Sequence, residues 1–114
     1  RMDKKFDITA QYLNHFVEQL RPQDTEVRKE LYYGFTWQNN IAVLYDIRPK
    51  WNNREETINS EFAKIRYIKS TKEWKLYWMR ASGKWELYEP FPTSSNIQQL
   101  LQIIKEDAYS CFFG

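Results

Sequence analysis

Along residues 4–22, KKFDITAQYLNHFVEQLRP, apolar side chains recur with the spacing of one helix face. Phe6, Ala10, Leu13, Phe16, Val17 and Leu20 fall on a single stripe. Asp3 stands where a cap would open this helix, and Pro22 ends it near Arg21. His15 lies roughly opposite Leu13, facing water.

From Leu31 the period changes to two. Leu31, Tyr33, Phe35 and Trp37 alternate with Tyr32, Gly34, Thr36 and Gln38, and after Asn39-Asn40 a second alternation runs from Ile41 to Arg48. A three-residue connection, Gln38 to Asn40, sets Trp37 opposite Ile41, Phe35 opposite Val43 and Tyr33 opposite Tyr45. A two-residue connection sets Tyr33 opposite Asp46 instead. Matching apolar faces favours the longer turn. Residues 48–60, RPKWNNREETINS, follow neither period and read as a long loop, with Pro49 marking the strand end.

Three more strands are expected at 62–70, 73–81 and 84–91, with turns at Thr71-Lys72 and Ser82-Gly83. Residues 94–108 form a closing helix capped by Ser94 or Ser95, with Ile97, Leu100, Leu101 and Ile104 as its stripe. The tail YSCFFG is apolar enough to pack down. Helix, five strands in sequential hairpins, helix: the order predicts a single α+β domain over 1–114. Its five-stranded antiparallel meander carries the N-terminal and C-terminal helices on one face.

Two-residue turns partition the last three strands into two faces. Ala63, Ile65, Tyr67, Trp74, Leu76, Trp78, Trp85, Leu87 and Phe91 make an apolar face, the expected core under the helices. Lys64, Arg66, Ile68, Lys75, Tyr77, Met79, Lys84, Glu86 and Tyr88 make the other. One row across that second face reads Arg66, Tyr77, Tyr88. Two short helices do not cover both faces of such a sheet. Exposed tyrosines among cations can stack on bases while the cations meet phosphates. Ordinary cross-strand pairing on a solvated face explains the same residues without a ligand.

Composition sharpens the picture in two places. The chain has 114 residues, 42% hydrophobic and 28% charged, which is ordinary, but 18% aromatic, which is high. Net charge is only +2. Residues 61–92 nevertheless hold seven Lys/Arg against four Asp/Glu, so the basic excess sits in the aromatic middle. Cys111 is the only cysteine, which excludes an internal disulfide and a cysteine-built zinc site. With no leader-like start and no run of about eighteen apolar residues, a cytoplasmic protein without membrane contact is expected.

R-P-K-W (Arg48 to Trp51), A-K-I-R-Y (Ala63 to Tyr67), W-K-L-Y-W-M (Trp74 to Met79), G-K-W-x-x-Y (Gly83 to Tyr88) and C-F-F-G (Cys111 to Gly114) occur in this order. As a set they resemble a small bacterial domain family of unknown function, number 3024, from about residue 28 to the end. The resemblance implies a bacterial cytoplasmic protein and carries no catalytic residue, cofactor or activity with it.

Catalytic patterns are sparse. There is no glycine-rich phosphate loop, with three glycines in all, and a Cys111–His15 pair has no spacing signature. Asp46 with the Glu73-x-Lys75 triplet matches the donor types of metal-dependent nucleases. Glu55-Glu56 reads as solvated charge. The expectation is a non-catalytic binding module without cofactor or metal. It contacts nucleic acid or another anionic partner through Lys64, Arg66, Lys75, Tyr77 and Tyr88, extended by Arg48, Trp51 and Arg54 of the loop. The alternatives are a protein adaptor or homo-oligomer docking through the same face, and the Asp46/Glu73/Lys75 nuclease.

Overall fold

The computed structural model describes residues 7–20, 32–50, 52–53 and 55–113. In chain order these form α1 (Ile8–Leu20), β1 (Tyr32–Gln38), β2 (Ile41–Pro49), β3 (Thr57–Ile68), β4 (Glu73–Met79), β5 (Trp85–Leu87), β6 (Thr93–Ser94) and α2 (Ile97–Glu106). The five-stranded antiparallel meander β1-β2-β3-β4-β5 is present. The short β6, not foreseen in the sequence, pairs with β4 further along the same edge as β5.

Both helices pack on one face of the sheet. Leu13, Phe16 and Val17 of α1 meet Ile97, Leu100, Leu101 and Ile104 of α2 over Ala42, Leu44, Ala63, Ile65 and Leu76. Small Ala42 and Ala63 lie under the helices, and Leu13, Leu44, Ile65, Leu76, Leu100 and Ile104 have no or almost no exposure. Both helical stripes are therefore those of the 3.6-residue pattern.

The caps differ from expectation. Asp7 opens α1: its Oδ1 accepts from the Thr9 and Ala10 amides at 3.1 and 3.2 Å. Asp3, Phe6, Arg21, Pro22 and Leu31 lie outside the described residues. The second oxygen of Asp7 accepts the indole N–H of Trp37 at 2.8 Å, tying the helix start to β1. At α2 the cap is Asn96, whose side chain accepts from the Gln98 amide at 2.8 Å. Ser94 holds the turn before it, accepting from the Asn96 amide and bonding Gln99.

At the other end of α2, Asp107 adopts a left-handed conformation (φ 44°, ψ 52°) that turns the chain back. Its carboxylate accepts from the Phe112 and Phe113 amides at 3.0 and 2.9 Å. Phe112 is buried against Tyr88, with ring centres 4.9 Å apart, and Phe113 meets Phe62 at 5.0 Å. Within the tail Phe112 packs down as its composition implies, while Tyr109 stays exposed.

Every hairpin register departs from the sequence expectation. Asn39 and Asn40 both have positive φ (53° and 63°), forming a two-residue connection that follows the twist of the strands. Phe35 therefore pairs with Leu44 and Tyr33 with Asp46. This turns Ala42 and Leu44 inward and leaves Ile41, Val43 and Tyr45 on the far face. The Tyr45 ring lies over Gly34, where an added Cβ would stand 2.9 Å from it, so a larger residue here has to displace that ring.

β3 and β4 join through a four-residue turn at 69–72, two positions away from the expected register, which preserves their faces. Between β4 and β5 the connection is 81–83, with Gly83 left-handed (φ 87°) and the Arg80 amide bonded to the Lys84 carbonyl at 2.9 Å. The pairing Tyr77–Leu87 is one position off the expected one, so β5 is flipped. The supposed 48–60 loop is mostly hairpin: β2 runs to Pro49 and β3 begins at Thr57. A bulge opposite Leu44/Tyr45 absorbs one residue.

Asp7→Ala removes the cap and the Trp37 bond together and is expected to destabilise by about 2–4 kcal/mol. Trp37→Phe removes only the second and should lower stability by about half as much. Urea unfolding midpoints of the two variants and the parent measure both.

Candidate functional site

The helix-free face of the sheet is built from outward positions of β2 to β5. One row across it reads Val43, Lys64, Tyr77, Leu87; a second reads Ile41, Arg66, Lys75. Beside the first row stand Met79 and its partner Trp85. The Lys64 ammonium lies 5.1 Å from the centre of the Tyr77 ring and 5.9 Å from that of Trp85, so the three form one cation–aromatic unit.

Of the sequence-derived candidates, Lys64, Arg66, Lys75 and Tyr77 share this face. Arg66 and Lys75 are direct cross-strand partners, and neither makes an ion pair among the described residues. Like charges opposite one another destabilise a sheet. The pair therefore stands out as a place where an anion would be stabilising.

Tyr88 does not belong here. The one-position shift of β5 turns it into the core, where it is 1% exposed and packs on Phe112. Its place is taken by Trp85 and Leu87, which the expected two-residue turn had assigned to the core. Gly83, whose left-handed backbone selects the three-residue connection, is the signal that could have found them.

Arg48 is also elsewhere. It lies at the end of β2, seven residues beyond the Ile41 that pairs with Arg66, about 23 Å away at ~3.3 Å per strand residue. Its guanidinium is engaged by Asp46 at 3.3 Å. Trp51 and Arg54 lie outside the described residues.

The structure does not bring Asp46 and Glu73 together. Asp46 pairs with Ser60 and Glu73 with Ile68, opposite ends of a β3 stretch about 26 Å long at ~3.3 Å per residue. Glu55 and Glu56 sit in the turn after β2, where Glu56 bridges Lys50 at 3.1 Å. His15 lines the seam between the helices, whereas the Cys111 thiol reaches the Tyr109 carbonyl at 3.8 Å. Burial, then the Asp107 and Glu86 carboxylates, push that thiol above its ordinary pKa and disfavour the reactive thiolate. No cluster of three or more metal-ligating side chains occurs among the described residues, nor any helix long and apolar enough to cross a membrane.

The decisive comparison is with protein families. One family model matches residues 3–114. The chain belongs to the DUF3024 family, described as a domain of unknown function. The match reaches back over α1, beyond the stretch from residue 28 on which the sequence motifs lie. No curated protein and no solved structure matches the chain. The motifs of this DUF3024 member map onto distinct tasks. Lys64, Arg66, Trp85 and most of W-K-L-Y-W-M build the open face and its core side, and the two phenylalanines of C-F-F-G, Phe112 and Phe113, pack on Tyr88 and Phe62.

The two tyrosines of the expected row should now separate. Tyr88→Ala, in the core, is expected to cost about 3–5 kcal/mol, and Tyr77→Ala less than about 1 kcal/mol, read from chemical unfolding. Burial raises the Tyr88 phenol above its usual 10.0, with Cys111, Asp107 and Tyr109 adding to the effect. Tyr33 is raised likewise, by burial and then Asp46. The unfolded chain ionises these phenols first, so stability should fall as pH climbs above about 10. Tyr88→Phe should flatten that fall in unfolding midpoints taken from pH 9 to 11.

Proposed function

We propose that this DUF3024 domain is a non-catalytic binding module whose open sheet face takes single-stranded nucleic acid. The observation that carries the reading is the Arg66–Lys75 pair, two facing cations without carboxylate partners, next to the Lys64–Tyr77–Trp85 unit. Bases stack on flat rings whatever their sequence, and neighbouring cations track the phosphates. In this reading Tyr77 and Trp85 are the stacking platform. Lys64, Arg66 and Lys75 take the backbone. Tyr88 and Arg48 have no part in it. The sheet-face geometry suits unpaired strands, whose bases can splay onto it. We place the module in the bacterial cytoplasm, in keeping with the resemblance of its motifs and with a lone, unpaired cysteine.

A second reading rests on the apolar half of the same face. Ile41, Val43, Met79, Trp85 and Leu87 are all partly exposed there, and a protein partner or a second copy would cover them. Mass by light scattering that rises with concentration favours self-association.

Titration of fluorescent single-stranded and duplex oligonucleotides tests the main reading. Three phosphate contacts give a log–log salt slope of about −2, roughly a fifteenfold loss between 50 and 200 mM salt. Single strands should bind more tightly than duplex. Arg66→Ala and Tyr77→Ala should weaken binding, the latter by about 1–3 kcal/mol per stacked base, with melting temperature nearly unchanged. No binding at 50 mM salt overturns the proposal.

A further inference from the structure

On the opposite side of the molecule, α1 and α2 do not close against each other along their full seam. A cleft of about 180 Å³ remains between them. The α1 wall is Tyr12, His15, Phe16 and Gln19; the α2 wall is Gln98, Leu101, Gln102 and Lys105. Each set follows the same helical spacing, so each is one continuous strip of its helix facing the other.

The chemistry of the two strips is what matters. Phe16 and Leu101, 4% and 5% exposed, form an apolar floor. Above it every side chain is polar, three of them glutamine amides, and none is a carboxylate. Helices meet through apolar ridges and grooves, and here Phe16 and Leu101 make that contact while exposed polar side chains rim it. The nearest acid on α2, Glu106, accepts from the Gln102 amide nitrogen at 3.1 Å and does not line the cleft. Lys105 makes no ion pair among the described residues.

We propose that this cleft binds a small oxyanion, a carboxylate or a phosphate carried on a compact body. The Lys105 ammonium, the His15 imidazole and the glutamine N–H groups donate to it, and Phe16 and Leu101 receive any apolar part. An ammonium and several amide donors converging on one anion are charge-assisted hydrogen bonds, the strong kind. The volume lies below the ~300 Å³ where drug-sized pockets begin, so the ligand is a small metabolite-sized molecule rather than a polymer. This is a separate site from the open sheet face, on the other side of the sheet.

The test is NMR titration of ¹⁵N-labelled protein with sodium phosphate and, in a separate series, sodium benzoate, at constant ionic strength. Saturable shifts of the Gln19, Gln98 and Gln102 side-chain amides with a single Kd support the proposal, and the tighter of the two probes names the oxyanion. Lys105→Ala should weaken that Kd about tenfold, matching one lost charge-assisted bond. Gln102→Leu should abolish the shifts while raising the melting temperature by closing the seam. Arg66→Ala should leave the titration unchanged, which keeps this site distinct from the nucleic-acid reading. Shifts that never saturate, a Kd unchanged in Lys105→Ala, or shifts that fall on Arg66 and Lys75 instead of the cleft overturn it.

Discussion

The carboxylate of Asp7 holds the two layers of this protein in register. One oxygen satisfies the first free amides of α1, and the other takes the indole N–H of Trp37 on β1. A helix is free to slide and rotate over an apolar sheet surface, because hydrophobic contact has no direction. A hydrogen bond to a charged group does have direction. Trp37 in turn lies against Trp74, 5.8 Å between ring centres, and Trp74 against Tyr67 at 4.7 Å. The position of α1 is thus passed across the sheet from β1 to β4. Where α1 sits decides where its strip of polar residues faces α2, so the helix cleft inherits its geometry from this one side chain.

The remaining joints use the same device in other forms. Asn96 starts α2 and Asp107 ends it, each with a short polar side chain that bonds backbone amides. Buried charged or polar residues are absent from the core among the described residues. Direction is supplied at the periphery, where water can still solvate the acids, while bulk is supplied by the aromatics inside. Such a division suits a small domain: it gains specificity without burying a charge.

How much of this was legible follows from which physical signal each element carries. The helices were readable because their stripes are long and strictly periodic; all four stripe residues of α2 are buried as the spacing requires. The order of strands was readable too. The faces of β2 and β5 were not, because both sides of these strands carry apolar residues, and only turn geometry decides between them. Asn39-Asn40 and Gly83 held that information, in their tolerance of positive φ. At the first hairpin, matching apolar partners favours the longer turn, yet Tyr33 pairs with Asp46, whose charge Arg48 takes up. The outer half of the β2–β3 hairpin was hidden for a different reason: Thr57 to Ser60 are exposed on both sides and show no alternation. The basic residues of the open face survived these errors because the β3–β4 register slipped by two, which preserves the face. Tyr88 did not, because the β4–β5 register slipped by one.

The fastening of the tail has a bearing on how the protein folds and opens. Phe113 touches Tyr33 on the first strand as well as Phe62, so near-opposite ends of the described chain meet at one corner of the core. Contacts so distant in sequence raise contact order and slow the search for the native state. They also link edge strand β1 to the tail. A sheet whose edge strand could peel off alone would expose a pairing edge while the rest stayed folded. Here fraying of β1 also breaks the aromatic corner that the tail completes, so edge and tail open as a single cooperative unit.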